Sequence, residues 1–142
     1  MPAAPQTSST AYGGALAKKL GLAPGQTVLF SRPPDTFAEL LGDLPDGVRV
    51  RSRLAASELD LIVFFTTRRA ELEARIEALR EAIRPAGMAW IAWPKRASGV
   101  RTDMNENVVR EVALPIGLVD TKVCAIDEIW SGLKLVIRKE LR

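Results

Sequence analysis

The run Leu59-Asp60-Leu61-Ile62-Val63-Phe64-Phe65 decides the fold of this chain. Asp60 apart, every residue in it is apolar, so an extended strand here would need cover on both faces. Such a strand belongs in the middle of a sheet with a layer on either side. The run is also far shorter than the ~20 apolar residues of a membrane helix.

Downstream, Thr66 or Thr67 is placed to cap a helix from about Arg68 to Arg84, with an apolar stripe of Leu72, Ile76, Leu79 and Ile83. Glu71 and Arg75 stand four residues apart in the favourable order for an ion pair on that helix. Pro85 and Gly87 end it, and Met88 to Trp93 (MAWIAW) reads as a second buried strand. The long loop Trp93–Asp103 follows. Thr102 or Asp103 then caps a helix with the inner face Val108, Val109 and Val112, and Asp103 with Glu106 has capping-box spacing. Pro115 and Gly117 close that helix. Two final strands, about Lys122–Ile126 and Leu133–Arg138, form a hairpin through the loop Asp127–Gly132.

Upstream, Thr27–Ser31 (TVLFS) reads as a short buried strand, preceded by a helix from Ala15 that Gly21 stops. Asp35 is an N-cap for a short helix over Phe37, Leu40 and Leu41, ended by Gly42. Val48–Arg53 alternates, with Arg49, Arg51 and Arg53 on one face and Val48 and Val50 on the other. The five residues Leu54–Glu58 are too few for a usual parallel crossover, so this connection is extended, or the Arg-rich strand is short or not parallel. The pattern predicts an α/β fold in three layers: a mostly parallel, Rossmann-like sheet closed by an antiparallel C-terminal β-hairpin. Residues 1–13, rich in Ala, Pro, Ser and Thr, are expected to be a flexible arm, and 14–142 a single α/β domain.

Composition narrows the chemistry. The chain has no histidine and a single cysteine, Cys124. Ser-His-Asp and Cys-His catalysis cannot be assembled from it, nor can the usual zinc sites. Lone Cys124, in the predicted strand VCAI, reads as a small buried hydrophobe and allows no internal disulfide. With no signal-peptide pattern, the protein is expected to be cytoplasmic. A formal charge of +3 is a mild excess that permits an anionic partner but does not point to nucleic acid.

The segments LAPGQTVLF, LDLIVFF and IRPAGMAWIAW, with the closing VCAIDEIWSGLKLVIRK, resemble the class I S-adenosylmethionine-dependent methyltransferase fold across most of residues 15–142. The segments AKKLGLAPG, AWPKRASGVRTDMNENVVR and GLVDTKVCAIDEIWSGLKLV are similar to a family of small bacterial proteins catalogued as a domain of unknown function. The second resemblance implies a fold and no site. The first implies a methyl-donor site with a Gly-rich turn after the first strand, an acid ending the second, and, in amino-methylating members, an Asn/Asp-Pro-Pro motif after a central strand. This chain has Ser31-Arg32-Pro33-Pro34, Arg51-Ser52-Arg53 and Phe65-Thr66-Thr67 at those places.

In open α/β sheets ligands bind beyond the carboxyl ends of the strands. The Trp93–Asp103 loop is the leading candidate: Lys95, Arg96 and Arg101 supply charge, Ser98 a hydroxyl, and Gly99 close backbone approach. Asp103 lies at its end, and Asp127, Trp130 and Ser131 of the hairpin loop reach the same edge. The residues therefore predict a binding domain rather than an enzyme, for a small anionic ligand or a protein partner, with no cofactor and no metal. A divergent methyltransferase using S-adenosylmethionine is the alternative, and a nucleic-acid accessory protein, on the mild basic charge alone, the third reading. The stripe Arg49-Arg51-Arg53 is expected to blunt an edge strand.

Overall fold

The computed structural model describes residues 14–54 and 58–142. The expected N-terminal arm lies outside the described residues. The elements run α1 (Gly14–Leu20), β1 (Thr27–Ser31), α2 (Phe37–Leu41), β2 (Arg49–Arg51), β3 (Leu59–Phe65), α3 (Arg69–Ala82), β4 (Ile83–Pro94), α4 (Glu106–Ala113), β5 (Leu118–Ala125) and β6 (Trp130–Ile137). Six strands form one sheet in the order β2-β1-β3-β4-β6-β5. The first four are parallel, and β6 is antiparallel to both β4 and β5. This is the α/β, mostly parallel arrangement with an antiparallel closing pair that the strand–helix alternation predicts.

The apolar run at 59–65 sits between β1 and β4, and its side chains serve two cores. Ile62 and Phe64 join Leu72, Ile76 and Leu79 of α3 and Val109 of α4 on one face. Leu61, Val63 and Phe65 join Leu16 and Leu20 of α1 and Phe37 and Leu41 of α2 on the other. Asp60, the one charge in the run, stays near the rim. Its carboxylate accepts the backbone N–H of Thr27 at 2.8 Å and pairs with Arg84 at 3.3 Å, tying the start of β1 to the start of β4.

The short link after β2 resolves into a parallel crossover. β2 has only three residues and pairs in parallel with β1, while β3 lies on the far side of β1. β2 and β3 run parallel on either side of β1, about two strand spacings or roughly 10 Å apart. No helix lies between β2 and β3 among the described residues, and the consequence is spatial. The layer made by α3 and α4 packs against β4, β5 and β6 and stops short of β2, whose residues are all exposed. Partly buried Leu54 and the arginines lie there instead. Arg49 donates to Thr27 Oγ1 at 3.0 Å, and Arg51 pairs with Glu58 at 2.7 Å.

Several local expectations are corrected. Neither Thr102 nor Asp103 caps α4: Asn105 Oδ1 accepts Val108 N at 2.8 Å. Asp103 instead accepts the N–H of Arg69 at 2.7 Å, so it caps α3 from a distant loop. Asp35 makes no cap for α2, which starts after Thr36 without a side-chain bond. The hairpin turn is shorter than expected, because Asp127 Oδ1 accepts the N–H groups of Ile129 and Trp130 and Trp130 O accepts Ile126 N. Trp130, Ser131 and Gly132 are therefore strand residues of β6.

Candidate functional site

The switch between β1 and β3, where successive connections leave in opposite directions, is where this sheet can form a crevice. β1 ends at Ser31, and Arg32 then takes φ 49°. It is the one non-glycine residue in the left-handed region among those described. That conformation costs about 1–2 kcal/mol for a residue with a Cβ. The turn is needed because Pro33 and Pro34 follow and α2 must begin within a few residues. Its effect is to send the Arg32 side chain across the end of the sheet onto α3, where it forms an ion pair with Glu71. The Glu71 side chain is only 11% exposed, and its second oxygen accepts the hydroxyl of Thr66 at the end of β3. Thr66 is itself buried and accepts the N–H of Arg68.

Around this link lies a cleft of about 470 Å³, bounded by Ser31, Arg32, Phe64, Arg68, Glu71 and Arg75. A second hollow of about 230 Å³ shares Ser31, Arg32, Phe64 and Arg75 with it and extends over the sheet to Ser52, Arg53, Leu54 and Leu79. A third, of about 380 Å³, lies on the opposite face between α2 and β2; Phe30, Pro33, Phe37, Leu44 and Val50 give it an apolar lining. Behind it, edge-to-face aromatic contacts run from Phe30 to Phe37, Phe65 and Trp130, with centroids 5.0 to 5.2 Å apart.

The residues singled out from sequence are spent differently. Lys95 donates to the backbone carbonyl of Asp127 at 2.7 Å, fastening the β4 loop to the hairpin turn. Ser98 donates to Lys95 O at 2.6 Å and accepts Val100 N at 3.2 Å, which closes a 3-10 turn over Arg96–Ser98. Gly99 ends that turn at φ 77°, facing open space, and Arg96 and Arg101 are exposed. Asp103 and Asp127 hold backbone N–H groups, Trp130 packs on Phe65, and Ser131 pairs in the sheet with Trp93 and Ala125. The loop does return to the strand-end edge, since Thr102 donates to Thr67 O at 2.6 Å. Its helix, however, begins only at Glu106, and the N-terminus is filled by Asn105. Of the described groups, Ser31, Arg32, Arg53, Glu71 and Arg75 line these hollows; Ser31 and Arg32 belong to one of the strand-end loops, Ser31–Asp35, but the residues singled out lie on the 93–103 loop and the hairpin. The signal that could have found them was the turn after β1, where the switch in strand order falls.

No metal-holding cluster of His, Cys, Asp or Glu occurs among the described residues. No described helix is long and apolar enough to cross a membrane.

No protein-family model matches the sequence, and no curated protein matches it significantly. Solved structures do match. A SAM-dependent methyltransferase from Aquifex aeolicus shares 18% identity over 88% of this chain and 89% of its own, with a TM-score of 0.62. The DhpI–SAH complex gives 12% identity, 89% and 83% coverage, and a TM-score of 0.61. The 1,6-didemethyltoxoflavin-N1-methyltransferase of Burkholderia thailandensis, solved with its substrate and S-adenosylhomocysteine, gives 11%, 89% and 76%, and 0.57. The chain thus has the class I methyltransferase-like fold over nearly its whole described length. The expectation of no cofactor is corrected here: structures with the same fold hold S-adenosylhomocysteine.

Proposed function

We propose that this chain is a divergent S-adenosylmethionine-dependent methyltransferase, with its donor site in the cleft between the ends of β1 and β3 and the start of α3. The observation that carries the reading is the position of that cleft. It lies at the switch point of a sheet of this order, and its volume falls within the several hundred Å³ of small-molecule sites.

The residues there fit the charged end of the donor. S-adenosylmethionine carries a carboxylate, an ammonium and a sulfonium, and the sulfonium makes its methyl group electrophilic. Arg32 offers a guanidinium fork for the carboxylate, and Glu71 a shielded negative charge for the cationic groups. Ser31 offers a hydroxyl beside them. The ribose end would be held in an uncommon way. Pro33 and Pro34 provide no N–H donors after β1, and β2 leads into Arg53 where an acid would hold the ribose hydroxyls. That difference is what divergent means here, and it also supports a binding domain on the same scaffold as the second reading.

Titration calorimetry with S-adenosylmethionine and S-adenosylhomocysteine tests the proposal. Saturable binding with Kd below about 1 mM is expected, weakened at least about tenfold by Glu71→Gln, which keeps the shape and removes the charge. No saturable heat for either compound, with the wild type folded by circular dichroism, would end the methyl-transfer reading.

A further inference from the structure

Arg75 ought to be paired on its own helix. Glu71 stands one turn before it, in the order that favours an ion pair. The structure gives Glu71 to Arg32 and Thr66 instead. Other carboxylates around the groove are likewise taken: Glu58 by Arg51, Asp60 by Arg84 and the N–H of Thr27, and Glu73 by Arg69. Arg53 and Arg75 have no carboxylate partner among the described residues. Both line the 230 Å³ hollow over β1, and Arg32 lines it too.

The floor of that hollow is apolar. Leu29, Phe64 and Leu79 are all 5% exposed or less and line it beside the arginines. Arg53 and Arg75 are exposed, so water weakens their mutual repulsion, but neither has a carboxylate among the described residues to offset it. An anion bound between them relieves that repulsion, and guanidinium forks match the oxygens of a phosphate in geometry. Ser31 and Ser52 flank the same hollow with hydroxyl donors.

We propose that the hollow between α3 and the 52–54 segment is an oxyanion site, taking the phosphate group of a small phosphorylated molecule between Arg53 and Arg75, with Arg32 as its third wall. The site adjoins the donor cleft and shares Ser31, Arg32, Phe64 and Arg75 with it. The inference goes beyond the methyl-transfer reading and stands whether or not S-adenosylmethionine binds.

The test titrates inorganic phosphate and pyrophosphate into the full chain at low ionic strength, followed by amide chemical shifts or calorimetry. Saturable binding is expected, with shifts at Ser31, Ser52 and Arg75, and pyrophosphate binding the tighter of the two. Arg53→Gln with Arg75→Gln should weaken it at least about tenfold, since each lost charge-assisted contact is worth roughly that factor. Arg75→Lys should keep part of the affinity. The control Arg96→Gln with Arg101→Gln removes the same charge from the β4 loop and should leave affinity within about twofold, as expected when only distant screened charges change. Failure of the wild type to bind either anion saturably overturns the proposal, as does equal binding by the Arg53/Arg75 variant. Loss of binding in the Arg96/Arg101 control alone also overturns it, by moving the anion to the loop. S-adenosylmethionine titrated into the wild type keeps the two readings apart: its binding can fail while phosphate binding holds, and the reverse.

Discussion

Trp90 is the residue on which the α1 side of the sheet is built. It is fully buried, and its indole N–H donates to the carbonyl of Leu20, the last residue of α1, at 2.8 Å. Gly132 on the neighbouring strand makes room for it, since a Cβ there would stand 3.1 Å from the ring. Trp90→Phe leaves the Leu20 carbonyl without its donor and opens a void, so a loss of about 2–4 kcal/mol is expected from denaturant unfolding. Cys124 lies in the same core, and burial pushes its thiol pKa above the usual range, with Lys19 and Lys122 opposing only in part. The sign follows: a thiol raised in the folded state favours folding below its ordinary value, and that contribution is lost as pH rises through the raised one. Unfolding midpoints should therefore fall more steeply above about pH 9 in the wild type than in Cys124→Ala, and parallel curves would reject the linkage. The burial of both residues was readable from MAWIAW and VCAI. The partner of Glu71 was not. Spacing along a helix sees only that helix, whereas Arg32 arrives from a turn whose left-handed residue no pattern of hydrophobicity encodes.

At the level of elements, β1 and β3 match their predicted bounds, because a short apolar run between turn residues has no other way to bury itself. The ends of helices were harder to place. Thr102, Asp103 and Asn105 all have side chains able to cap, and sequence cannot tell which helix each will face. Asn105 caps α4, and Asp103, an exposed loop residue, caps α3. Asn105→Ala should cost about 1 kcal/mol, the ordinary value for a lost N-cap, measured by urea unfolding. Asp103→Ala should cost a similar amount, about 1 kcal/mol, although it lies outside the helix it serves. A stability unchanged in Asp103→Ala would mean that the loop does not hold α3. Strand β5 shows the opposite difficulty. It starts at Leu118, just after Gly117 turns the chain at φ 94°, yet Thr121, Lys122 and Val123 in its middle are all exposed, so no alternation marks it there.

For the molecule as a whole, the absence of histidine and the short link after β2 act together. The first removes the usual acid–base and metal chemistry, and the second leaves no described helix between β2 and β3. What remains at that end is an uncovered sheet edge, a liability that proteins manage with short strands and charge. β2 has both: three residues, with Arg49 and Arg51 on the open face, while Val50 is 53% exposed on the other. Arg49 also spends its charge on Thr27 Oγ1 and Arg51 on Glu58, so these two arginines serve the fold, leaving Arg53 for a ligand. Arg49→Val with Arg51→Val would therefore join an apolar strip to an edge whose backbone has no partner on its outer side among the described residues. Such a strip invites pairing with a second chain. Sedimentation of the double variant should show a mass increase with concentration beyond that of the wild type, with no loss of sheet signal by circular dichroism. Arg53→Val alone should not associate, because Arg53 lies past the end of the strand. If the double variant sediments as the wild type does, the arginines are not what keeps this edge apart. The expectation that they blunt an edge strand would then fail, and the case for treating Arg53 separately would fail with it.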